Sequence, residues 1–117
     1  MYEKQPYLNS IAYGVILLTL STALIHLSQS FQFPEGPDRV FLLNAIGYIV
    51  LLAAIYTPLP MLARYRSRVT WVLIGYTTLT IALWLFFGAR SVTAYIDKAI
   101  EVGLILLLWA ETRRFSA

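Results

Sequence analysis

The sequence predicts an all-α membrane protein: four transmembrane helices in an antiparallel up-down-up-down bundle. Three observations carry that expectation. Val69 to Ala89 is a run of 21 residues with neither charge nor proline. At about 1.5 Å per residue it crosses the roughly 30 Å hydrocarbon layer of a bilayer as one helix. The chain is 59% hydrophobic and only 13% charged, and at 117 residues it has no soluble interior large enough to bury a helix that is apolar on every side. The segments between apolar runs are short, which makes sequential helices antiparallel neighbours.

Residues 1–117 thus read as one transmembrane domain, with spans at about 9–30, 39–57, 69–89 and 93–111. The first span has its apolar core at Ile11–Leu27. It has a single nearby Lys4 and no small-residue cleavage site after it, so it reads as a retained span and not a removable signal peptide. The turn PEGPDR, Pro34 to Arg39, leads into the second span, with Asp38 placed to cap it. Pro58 and Pro60 stop that span. A basic loop, Pro58 to Arg68, precedes the third. Ser91 or Thr93 is placed to cap the fourth, which carries Asp97, Lys98 and Glu101 in its first half.

Orientation follows from the basic residues. Lys4, Arg64, Arg66, Arg68, Arg113 and Arg114 fall on one side and Arg39, Arg90 and Lys98 on the other, so six against three puts both termini in the cytoplasm. Trp71, Tyr65 and Trp109 suit the inner interface and Tyr95 the outer one. The net charge of +3 reports orientation before it reports a partner. No basic face suited to nucleic acid is present.

Chemistry is sparse. The chain has no cysteine, which removes disulfides, thiolate metal sites and thiol nucleophiles. One histidine rules out bis-histidine haem within a single chain. No catalytic or nucleotide-binding motif occurs, so no catalytic residue, resident metal or cofactor is expected. The candidate polar cluster within the membrane is His26, Asn44, Asp97, Lys98 and Glu101, groups that are costly in hydrocarbon. Asp97 and Glu101 lie four apart and so share a helix face. Two readings compete. In one the cluster is a proton or cation site. In the other it is an ion-pair network in which Lys98 neutralises Glu101, Arg90 neutralises Asp97 and His26 bonds a neighbour.

Arg64, Arg66 and Arg68 are candidates for contact with anionic lipid. Tyr48, Tyr56, Tyr76, Trp84, Phe86 and Phe87 would line a pocket for a quinone, carotenoid or lipid, or simply pack. Ser10/Gly14 and Ala99/Gly103 are small-residue pairs that permit close helix contact.

His26-Leu27 closing the first span, FLLNAIGY (Phe41 to Tyr48) opening the second and IDKAIEV (Ile96 to Val102) opening the fourth resemble a family of small four-span membrane proteins met mainly in halophilic archaea. The resemblance implies a four-helix bundle with D-K-x-x-E at the head of the last helix, and no activity. The expected function is therefore an accessory or scaffold subunit in the lipid bilayer, packed against other membrane proteins or a second copy. The alternatives are a small proton- or cation-coupled transporter or channel using the acidic cluster, and a lipid- or pigment-binding module.

Overall fold

Asn9, Asp38 and Ser91 each precede an apolar run, and each caps a helix. Asn9 Oδ1 accepts the Ala12 N–H at 3.0 Å. Asp38 Oδ1 accepts from Val40 at 2.9 Å and Phe41 at 3.2 Å. Ser91 Oγ accepts from Ala94 at 3.1 Å. Such bonds satisfy amide protons that have no partner in the first turn.

The computed structural model describes residues 8–32, 38–88 and 90–116. Asp38 and Arg39 aside, the expected turn at 34–39, with Glu35, lies outside the described residues, as do Lys4 and Ala89. The described residues form five helices and no strand: α1 (Ser10–Ser30), α2 (Arg39–Tyr56), the single-turn α3 (Pro60–Ala63), α4 (Arg66–Phe87) and α5 (Val92–Ser116). Helix α2 stops at Tyr56, two residues before Pro58, as the proline requires.

Two boundaries differ from expectation. Helix α4 begins at Arg66, inside the expected loop. The cause is Arg66 itself, whose Nε–H donates to the Ile55 carbonyl at 2.5 Å, with Nη2 3.5 Å from the Thr57 carbonyl. The Ile55 carbonyl is an orphan of the last turn of α2, so one side chain closes α2 and anchors the start of α4. Helix α5 continues through Arg113 and Arg114, two cations that suit the negative end of a helix dipole.

α1, α2 and α4 are long and apolar enough to cross a membrane, by length and composition. The fourth expected span lies in α5, which has 25 residues but also carries Asp97, Lys98, Glu101 and Glu111 among its apolar positions. Helix α1 packs on α2 and α5, and α4 packs on the same two. Gly14 lets α1 and α5 approach: a Cβ there would meet Leu107 Cδ1 at 2.7 Å. The distribution of polarity is inverted relative to a soluble domain. Leu17, Leu24, Leu43, Leu106, Phe86 and Phe87 are exposed, whereas Thr19, Thr22, His26, Asp97, Glu101 and Glu111 are buried.

Gly47 sits where the Tyr76 hydroxyl crosses from α4 to α2, and a Cβ there would overlap that hydroxyl. Tyr76 has little freedom to yield. Its O–H donates to the Asn44 carbonyl at 2.8 Å, and its ring packs edge-on against Tyr48 at 4.9 Å. Gly47→Ala is expected to destabilise by about 1–3 kcal/mol. Gly75→Ala, where nothing lies within 4 Å, should be neutral or slightly stabilising. Thermal melts of the two variants in the same detergent check the difference.

Candidate functional site

Thr22 and His26 lie one turn apart in the second half of α1. Asp97 and Glu101 lie one turn apart in the first half of α5. The α1–α5 packing brings the two pairs face to face, and Tyr48 enters from α2. Asp97, Glu101, Thr22 and Tyr48 are at most 1% exposed, His26 4% and Lys98 9%, so these charges must be balanced locally.

The hydrogen bonds can be assigned by counting protons. The Lys98 ammonium donates to Glu101 Oε1 at 2.6 Å and lies 3.2 Å from Asp97 Oδ2. The Tyr48 hydroxyl donates to Glu101 Oε2 at 2.7 Å. Thr22 Oγ1 lies 2.5 Å from Asp97 Oδ1 and 3.1 Å from Glu101 Oε2. A hydroxyl has one proton, and the shorter contact takes it. His26 Nδ1 lies 2.9 Å from the Thr22 carbonyl, which can only accept, so Nδ1 carries a hydrogen. Nε2 is left facing Asp97 Oδ2 at 3.6 Å and Glu101 Oε2 at 4.0 Å, too far for a good hydrogen bond.

Charge follows from this assignment. With Asp97 and Glu101 both ionised, Lys98 charged and Nε2 bare, the cluster has one negative charge in excess. A proton on Nε2 makes it neutral, with the imidazolium between both carboxylates. His26, Asp97 and Glu101 also offer three ligand atoms within 4.8 Å of one another, and the Nδ1–H···O=C bond is the usual outer support of a metal-bound imidazole. With Lys98 in place, however, a divalent ion would leave a buried positive charge, whereas a proton or monovalent cation leaves none.

A cavity of about 280 Å³ reaches the cluster. Gln29, Asp38 and Gly88, at helix ends, frame it, and His26, Asp97 and Lys98 lie further in. Phe41, Leu83, Trp84 and Phe87 form its apolar wall. On the far side of the cluster the core is largely apolar, with Val15, Leu52, Leu73, Leu104 and Leu108 packed together. Beyond that layer is a second polar cluster. There the Tyr56 hydroxyl donates to Glu111 Oε2, and Arg114 holds the same carboxylate through Nε at 2.6 Å and Nη2 at 3.0 Å.

Four of the five residues singled out in the sequence converge. Asn44 does not join them: it lines the cavity and donates through Nδ2 to Thr80 Oγ1 at 3.0 Å. The expected Arg90–Asp97 pairing is replaced. Arg90 donates to the Leu85 carbonyl at 2.7 Å and stacks on Trp84 at 4.2 Å, closing the end of α4, and Lys98 reaches Asp97 instead. Arg66 is committed to the end of α2, so of the three arginines proposed for lipid contact only Arg64 and Arg68 remain on the exposed surface, each near the Tyr65 ring. The expected aromatic set divides. Trp84 and Phe87 line the cavity, Tyr48 and Tyr76 are core, Tyr56 belongs to the Glu111 cluster, and Phe86 points outward. Sequence reasoning missed Thr22, although its spacing of four from His26 was a usable signal. It also missed the Tyr56–Glu111 pair.

No protein-family model, curated protein or solved structure matches the chain, so its function is argued from this geometry.

Lys98 is the cluster's only fixed cation. Lys98→Met would strand two carboxylates and is expected to cost about 3–5 kcal/mol. The double variant Lys98→Met/Glu101→Gln, with one carboxylate and one imidazole left, should recover most of that loss. Melting temperatures of both single variants and the double check the coupling.

Proposed function

We propose that this chain is a small multi-pass membrane protein that binds and moves one proton or monovalent cation at the His26–Asp97–Lys98–Glu101 cluster. In this reading α1, α2, α4 and α5 are four antiparallel spans with both termini in the cytoplasm. The inverted polarity supports the membrane setting, because lipid is the natural solvent for a surface of Leu, Phe and Val. The arginines at the start of α4 and the end of α5 support the orientation. The cavity then opens on the outer side, at the end of the bundle opposite those arginines.

The observation that carries the reading is the cavity's contact with His26, Asp97 and Lys98. An ion-pair network that merely holds helices together, as in an accessory subunit, needs no route to the outside. This one has a route, and it lacks one positive charge that a mobile ion supplies. The apolar layer beneath it and the Glu111–Tyr56–Arg114 latch close the inner side, as a carrier with one-sided access requires.

Glu101→Gln makes the cluster neutral without the extra cation, so it removes the demand for a proton and keeps the packing. In liposomes with an imposed pH gradient, wild-type protein should dissipate the gradient faster than protein-free vesicles, and Glu101→Gln should slow this by about tenfold or more. Equal rates for the variant and wild type, or a wild type no faster than empty vesicles, would contradict the carrier reading.

A further inference from the structure

We infer that the cavity above the cluster binds a small organic cation, a protonated amine on an apolar body, whose head exchanges with the proton of the cluster. This deepens the proposed function and rests on its charge count.

The cation follows from that count. The inner part of the cavity is one negative charge in excess when His26 Nε2 is bare. Lys98 does not supply the missing charge, being already committed to Glu101 and Asp97. A second carboxylate, Asp38, borders the opening. An anion would meet both acids, and a neutral ligand would leave the imbalance in place.

The organic body follows from the walls. A bare proton or metal ion has no use for Phe41, Leu83 and Phe87 beside the Trp84 ring. Apolar walls with a few convergent polar groups are the mark of a small-molecule site, and about 280 Å³ lies just below the usual range for drug-sized ligands. A compact amine fits.

The orientation of Asn44, in the wall, is fixed. Thr80 gives its hydroxyl proton to the Tyr76 carbonyl at 2.9 Å, so it can only accept from Asn44, which fixes Nδ2 toward Thr80. Asn44 Oδ1 is thereby left buried without a donor.

The exchange balances: one ammonium enters, and one proton leaves Nε2. The titratable groups facing His26 are Asp97, Glu101 and, behind them, Lys98 from α5, and Tyr48 from α2. Helix α4 contributes Tyr76, behind Tyr48. Arg90 stays over Trp84, at the end of α4.

The test uses wild-type protein in lipid nanodiscs and three probes of one shape: phenethylammonium, phenethyl alcohol and phenylacetate. Calorimetry in two buffers of different ionisation enthalpy measures both affinity and proton release. Phenethylammonium is expected to bind one per chain, about tenfold or more tighter than either control. It should release a proton. Asp97→Asn should weaken it about tenfold. Preference for phenylacetate, equal affinity for the alcohol, absence of binding, or binding without proton release would each overturn the inference. Gradient dissipation that depends on Glu101 without amine binding would remove this inference alone. Amine binding without dissipation would remove the carrier reading alone.

Discussion

Charge balance in a dry interior is the constraint on which the rest of this structure depends. Two carboxylates, an ammonium and an imidazole are buried inside a helical assembly whose exposed large side chains are mostly Leu, Val, Ile and aromatic. Each isolated charge in such a place would cost several kcal/mol. The chain meets the constraint with geometry. Spacings of one turn on α1 and α5 put Thr22 and His26 opposite Asp97 and Glu101, Tyr48 supplies a hydroxyl proton from α2, and Lys98 folds back along its own helix. Only one imidazole nitrogen, His26 Nε2, is left without a close hydrogen-bond partner.

The two ends of the molecule handle buried charge differently. At the α4 start and the α5 end, Glu111 is held by Tyr56 and by two Arg114 nitrogens, and Arg66 closes the last turn of α2. Each charge there has a fixed partner. At the other end Arg90 is drawn off to carbonyls of α4 and the face of Trp84, leaving Asp97 to Lys98 and His26 beside an apolar-walled cavity. The same residue types thus make a closed latch at one end and an adjustable site at the other.

Much of the helical framework was legible in the sequence, because its signals are local. Uncharged runs, Asp38 and Ser91 as caps, and Pro58 as a stop act within a few residues of themselves. The spacing of Asp97 and Glu101 announced one face. Most of what remained hidden depends on rotation of one helix against another. Thr22 and Tyr48 are ordinary residues in an apolar helix until a carboxylate from elsewhere meets them. Arg66 looked like part of a basic loop, because its partner carbonyl at Ile55 lies on another helix. Arg90 was expected to prefer a carboxylate to two backbone carbonyls and an indole face. Thr22, Tyr48 and Arg66 were hidden by contacts between helices, whereas Arg90 was hidden by a local one, five and six residues back along the chain.

The chain has one histidine, so its imidazole can be observed without ambiguity. Solid-state nitrogen NMR of protein labelled at histidine, in lipid, reads the protonation of each ring nitrogen directly. The account predicts a ring whose Nδ1 carries a hydrogen, bonded to the Thr22 carbonyl. A ring carrying its hydrogen on Nε2 with Nδ1 bare would contradict it.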